Sequence, residues 1–151
     1  MTSVLQLKFP ILFLIMLFSA CSSAIDSRIY QQESGYDFTD TMQNLDITIS
    51  EYNYRIIHRS NIGQAIRDRG DKTYPLSTVV SFCNITYAKE MMEINSNLIN
   101  DMPCIITVRE EGETVIIGTR LMNEKSKNQQ QKDFAHRINK NLRAIIAATI
   151  E

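Results

Sequence analysis

The sequence lacks the short motifs that mark common hydrolases and nucleotide-binding enzymes. It has no G-x-S-x-G nucleophile elbow, no H-E-x-x-H zinc motif and no glycine-rich phosphate loop. Glu110, Glu111 and Glu113 resemble paired catalytic carboxylates, but they surround Gly112 in a predicted hairpin turn, which explains their charge. The sequence therefore predicts no catalytic residue and no cofactor, and it favours a non-catalytic protein over an enzyme.

A surplus of positive charge is also missing. The chain carries 16 basic and 17 acidic side chains, a formal net charge of −1. Proteins that bind nucleic acid through its phosphates present a basic surface, so we do not expect nucleic acid as a partner. With 151 residues, 44% of them hydrophobic, the chain has room for one globular domain with a core.

The hydrophobic run at residues 9 to 20 is too short to cross a membrane. A helix of ~12 residues rises only ~18 Å, whereas the hydrocarbon core of a bilayer is about 30 Å thick. Lys8 precedes the run and small residues follow it, which is the order of a secretory signal peptide. We therefore interpret residues 1 to 20 as a cleaved signal peptide.

The junction Leu17-Phe18-Ser19-Ala20-Cys21 resembles a bacterial lipobox. The resemblance implies that Cys21 receives diacylglycerol and palmitate and anchors the mature protein, since several acyl chains hold a protein firmly on a membrane. Ser22 after this cysteine implies an outer-membrane lipoprotein that faces the periplasm. Phe18 replaces the usual leucine, which leaves open ordinary cleavage after Ala24 and a soluble periplasmic protein.

The mature chain divides into a lipidated N-terminus and tether at residues 21 to 36 and an α+β domain at residues 37 to 151. The tether holds a short predicted strand at residues 28 to 32. Helical spacing and β-branched runs predict the elements of the domain. Helices are expected at residues 38 to 45, 62 to 66 and 88 to 98 and from 132 onward, and strands at 54 to 58, 77 to 83, 104 to 110 and 114 to 121.

Local signals refine these boundaries. Asp37 or Thr39 is expected to cap the first helix, although residues 47 to 49 suit a strand equally well. Asn61 is the predicted N-cap of the helix at residues 62 to 66, and Gly70 is the residue expected to end it. Asn84 is the predicted N-cap of the helix at residues 88 to 98.

Residues 82 to 117 carry a pattern that resembles the DUF302 family of domains of unknown function. Its parts are Phe82-Cys83-Asn84, the helix with Ala88, Met91, Met92 and Asn95, the stretch Met102-Pro103-Cys104-Ile105, and Val108-Arg109-Glu110-Glu111-Gly112. The stretch Ile62-Gly63-Gln64-Ala65-Ile66 extends the resemblance, which covers roughly residues 28 to 150. It implies a two-layer sandwich of a mainly antiparallel sheet packed against helices, with a tendency to self-associate, and it transfers no catalytic residue.

Two cysteines remain besides Cys21, and three interpretations of them stay open. Cys83 and Cys104 could form a disulfide in the oxidising envelope, closing a loop of about 20 residues and stabilising the fold by ~3 kcal/mol. They could equally be reduced, buried and inert. They could also form a redox or soft-metal pair, with His58 as a weak further ligand, although no C-x-x-C motif is present.

These observations lead to two expectations of function. The first is a membrane-anchored binding module, a homodimer with an unknown protein or small-ligand partner. The second is a periplasmic redox or metal-handling protein that uses Cys83 and Cys104.

Overall fold

Five antiparallel strands form one sheet in the computed structural model, which describes residues 28 to 151. The order across the sheet is β1-β5-β4-β3-β2. The strands are β1 (Ile29–Ser34), β2 (Arg55–Asn61), β3 (Ser77–Cys83), β4 (Cys104–Glu111) and β5 (Thr114–Arg120). The helices are α1 (Phe38–Glu51), α2 (Ile62–Asp68), α3 (Ile85–Ile94) and α4 (Gln129–Ile150), with a 3₁₀ helix at Ser96–Asp101. The predicted α+β sandwich is confirmed.

The predicted signal peptide and Cys21 lie outside the described residues. Within the described part, β1 forms an edge strand of the sheet, with Ile29 opposite Arg120 and Ser34 opposite Val115 of β5. The folded domain therefore includes residues 29 to 34, which the sequence analysis assigned to the tether. No helix between residues 28 and 151 is long and apolar enough to span a bilayer.

Asparagine and aspartate side chains set where the helices begin. The Asp37 carboxylate accepts a hydrogen bond of 2.9 Å from the Asp40 amide, and α1 continues through residues 47 to 49. Asn84 accepts bonds from the first amides of α3, as predicted. Asn128 does the same for α4, so this helix begins at Gln129 and not at Lys132 as the sequence analysis expected.

The core lies between the sheet and the helices α1 and α4. Alternate strand residues point towards these helices, because successive side chains in a strand face opposite sides of the sheet. The buried set from the central strands is Val80, Phe82, Ile106, Val108 and Ile117. The helices contribute Leu45, Ile49, Ile138, Leu142 and Ile145 to the core, each at most 2% exposed. Burial of these side chains supplies most of the stability of the fold.

The close approach of α2 to the chain before β3 generates a test of the packing. A Cβ atom on Gly63 would lie 2.6 Å from the Ser77 nitrogen and nearer still to the Pro75 oxygen. Gly63→Ala should therefore lower the free energy of unfolding by about 1–3 kcal/mol, although alanine is the better helix former. Urea denaturation measures the change.

Gly35→Ala is the matched control, because a Cβ atom at Gly35 meets nothing within 4 Å. Its effect should stay within about 0.5 kcal/mol. Equal effects of the two substitutions would show that α2 does not contact residues 75 to 77 as described.

Candidate functional site

A small cavity lies where β3 ends and β4 begins. Its volume is about 30 Å³ and its lining is almost entirely apolar. Sulfur-bearing and aromatic residues dominate the lining: Cys83, Cys104, Met91, Met102, Met122, Tyr54, Tyr87 and Phe134. Such a concentration of sulfur-bearing residues around one cavity is the most distinctive chemical feature of the domain.

The size of this cavity limits what it can hold. A cavity needs about 10–15 Å³ to hold one water molecule, whereas pockets for organic ligands measure about 300–1,000 Å³. In the described conformation the cavity therefore has room for a single ion or one very small molecule. The expected small-ligand partner, if it is an organic compound of ordinary size, does not fit here.

The register of β3 and β4 decides how the two cysteines meet the cavity. Cys104 lies directly opposite Phe82, and it packs against the core on the same side as Ile106. Burial alternates along β3, and Cys83 belongs to the less buried set. The two residues are therefore one position out of register, and both thiols are free in the described structure. Both nevertheless line the same cavity.

Burial favours the protonated form of both thiols. It raises the pKa of Cys104 to about 12, with a further contribution from the neighbouring Cys83. Burial also raises the pKa of Cys83. The thiolate is the reactive form of cysteine in nucleophilic attack and disulfide exchange. At neutral pH neither thiol is thus activated as a nucleophile, which counts against the redox interpretation.

An aromatic cluster forms the wall of the cavity beside β2 and α3. The Tyr54 ring meets Phe82 edge-on with 5.4 Å between centroids, and it is tilted against Tyr87 at 5.8 Å. Burial raises the pKa of Tyr54 to about 12, and its hydroxyl accepts a hydrogen bond of 3.3 Å from the Asn141 amide. Tyr54 is thus a neutral, fixed part of the wall.

A second, more polar cavity adjoins the first. Its volume is about 250 Å³, and it shares Asp101, Met102, Cys104 and Met122 with the inner cavity. Arg28 and Arg120 lie on its outer side, along with other polar groups. The shared residues, two of them methionines, border both cavities.

The structure does not bring His58 into this site. His58 is exposed in β2, opposite Ser81, and it lines neither of the two cavities. His136 is exposed on α4, 3.5 Å from Glu124. Among residues 28 to 151, no group of three or more histidine, cysteine, aspartate or glutamate side chains is arranged to hold a metal ion.

The acidic hairpin has a structural role. The Glu110 carboxylate accepts bonds of 2.6 Å from the Leu76 amide and 3.3 Å from the Arg67 guanidinium. Glu111 accepts a bond of 2.6 Å from Arg109. Glu110 thereby joins the β4–β5 hairpin to α2 and to the chain before β3, whereas Glu111 pairs within β4. These contacts give both carboxylates a structural role.

Most of the cavity lining was not predictable from the sequence. Met91 and Met92 entered only as part of the family pattern on a helix, and Met91 is 4% exposed in the core. No sequence signal joins Met102 and Met122, which follow a 3₁₀ helix and β5 respectively. A count of seven methionines against three cysteines was the one compositional signal that could have drawn attention to sulfur.

Comparison with known proteins places this fold. The model of the family "Domain of unknown function DUF302" matches residues 30–149. A crystal structure of an uncharacterized conserved DUF302 protein from Bacillus stearothermophilus superposes with a TM-score of 0.73 at 16% sequence identity, covering 82% of this chain and 99% of the other. No curated protein matches the chain. At this identity the superposition shows a shared fold alone, and the family match over most of the chain shows that this protein belongs to the DUF302 family.

Proposed function

We propose that this chain is a lipid-anchored module of the bacterial cell envelope that acts by binding, with a second copy of itself as the first partner. The observation that carries this proposal is the difference between the two faces of the sheet. One face is buried under α1 and α4. The other, here called the open face, presents the half-buried side chains of Val79, Ser81, Ile105, Thr107 and Ile116.

The register of the central strands makes the open face a continuous surface. Val79 lies opposite Thr107, and Ser81 lies opposite Ile105. Ile116 lies opposite Arg109 on the next strand pair. Apolar and small polar side chains thus alternate across the sheet, a composition that suits face-to-face packing of two sheets about 10 Å apart.

The charges at the margins of the open face favour a second copy as the occupant. Glu33 lies opposite Ile116, whereas Arg120 lies opposite Ile29. A negative and a positive charge therefore both lie on the open face. A two-fold axis brings a surface against itself, and it can therefore pair such acidic and basic groups.

The extent of the open face is sufficient for a modest dimer. Five strands about 4.8 Å apart and six residues long give a face of about 24 by 20 Å. Two such faces would bury roughly 1,000 Å² in total, which is the lower bound for a specific interface.

Sedimentation of residues 22 to 151 at micromolar concentration tests this dimer, and the wild-type domain should sediment as a two-fold homodimer. Ile105→Lys places a positive charge at the centre of the open face and should shift the domain to monomer. Ile85→Lys is the matched control, because Ile85 is 82% exposed on α3 and lies off the sheet. A wild-type monomer throughout this range, or equal effects of both substitutions, would remove the dimer.

The anchor is tested separately in cells. Cys21→Ser should abolish labelling with radioactive palmitate and release the protein from the membrane fraction, because the acyl chains supply the membrane affinity. Cys83→Ser, which alters a cysteine inside the domain, should leave labelling unchanged. Persistent labelling of the Cys21→Ser protein would show that the lipid is not on this residue, and a wild-type protein without label would favour cleavage after Ala24.

A further inference from the structure

We propose that the cavity at the end of β3 and the start of β4 is a binding site for Cu(I). The donors are the sulfur atoms of Cys83 and Cys104, with the thioethers of Met91, Met102 and Met122. This inference goes beyond the binding module proposed above, and it depends on neither the lipid anchor nor the dimer.

The donor set selects the metal. Thiolate and thioether sulfur are soft ligands that favour Cu(I), whereas Ca²⁺ and Mg²⁺ require several oxygen ligands. Zinc in proteins takes four ligands from cysteine, histidine and carboxylate. The cavity offers only Cys83, Cys104 and Asp101 from that class, and its lining includes no histidine. The three methionines add ligands that Cu(I) can use and zinc does not normally use.

The size and polarity of the cavity fit a single monovalent ion. A volume of about 30 Å³ accommodates one ion and no organic ligand. An uncompensated charge in an apolar cavity is costly. Cu(I) with one thiolate forms a neutral unit, and the remaining thiol and thioethers are neutral donors. On binding, Cu(I) displaces one thiol proton to the solvent, forms the Cu–S bond, and no electron is transferred.

The register of the two cysteines does not favour a disulfide between them. Cys83 lies one residue out of register with Cys104, so the two are not a directly opposed pair. Both are free thiols in the described structure, which is the form that Cu(I) binding needs, and they lack the C-x-x-C spacing of redox motifs.

The second cavity, of about 250 Å³, adjoins the proposed site. Met102 and Met122 border both cavities, together with Cys104. Thioethers carry no proton at any pH near neutrality, so these two residues can accept the ion before a thiol is deprotonated. Exchange of Cu(I) with solvent-borne chelators should therefore proceed without unfolding.

Competition with the Cu(I) chelator bathocuproine disulfonate tests the site on the purified protein. The measurement is anaerobic, and we expect one Cu(I) per chain, with an X-ray absorption spectrum that shows sulfur as the nearest neighbour. A disulfide between Cys83 and Cys104 in the isolated protein, or a first shell of nitrogen and oxygen, would overturn the proposal. So would Zn(II) binding as tight as that of Cu(I).

Substitutions that preserve the fold identify the donors. Replacing Met91, Met102 and Met122 together by leucine keeps the volume of the side chains and removes only the thioethers. This variant should bind Cu(I) at least about 10- to 100-fold more weakly. Substitution of residues that only hold metal ligands in place already lowers metal affinity by this factor. Met42→Leu, in α1 and away from the cavity, is the matched control and should bind as the wild type does.

The cysteines are tested in the same assay. Cys83→Ser and Cys104→Ser should each weaken Cu(I) binding by at least as much as the methionine variant, with circular dichroism to verify folding. If binding is unchanged in the methionine variant or in both cysteine variants, the ion is bound elsewhere and the assignment is wrong.

Discussion

The antiparallel register between β3 and β4 is the constraint on which the rest of the domain depends. Side chains alternate along a strand, so a slip of one residue would move every core side chain of β3 to the opposite face. With Phe82 opposite Cys104 and Val80 opposite Ile106, all four residues point towards the helices. The same register leaves Cys83 beyond the last core pair, at the edge of a space that α3 and α4 do not fill.

The cavity follows from that geometry and from the choice of side chains around it. Methionine is flexible and fills irregular gaps in cores, which makes three methionines around one small space an ordinary packing solution. Two cysteines at the same space are harder to explain by packing alone, because alanine or valine would fill it without a titratable group. Burial raises the pKa of Cys104 to about 12, so its thiol is a poor nucleophile at neutral pH.

Local sequence signals predicted the elements well where one residue controls the local backbone. The bounds of β3 were predicted correctly, Asn84 caps α3, and Gly70 has φ +123° directly after the C-cap Arg69. The prediction failed where a tertiary partner intervenes. Asn61 makes no capping bond to α2, because its side-chain oxygen accepts a hydrogen bond of 3.1 Å from the Thr78 hydroxyl.

The site itself was only partly predictable. The sequence placed Cys83 and Cys104 on two strands, and the structure makes these two strands neighbours in the sheet. Whether the thiols face one another depends on register, and register is set by packing across the sheet and not by either strand alone. The methionines of the lining come from three separate parts of the chain, so no spacing rule could have joined them.

The proposed lipid anchor would favour the proposed dimer, because it limits how far the domain can move from the membrane. Seven residues lie between Cys21 and Ile29, where β1 begins, and these eight residue steps span at most about 29 Å when fully extended. A lipid on Cys21 would thus confine the domain to a thin layer above the membrane. An interface of roughly 1,000 Å² is at the weak end of specific contacts. Confinement raises the effective concentration of neighbouring copies, so a contact too weak for dilute solution can be occupied on the membrane.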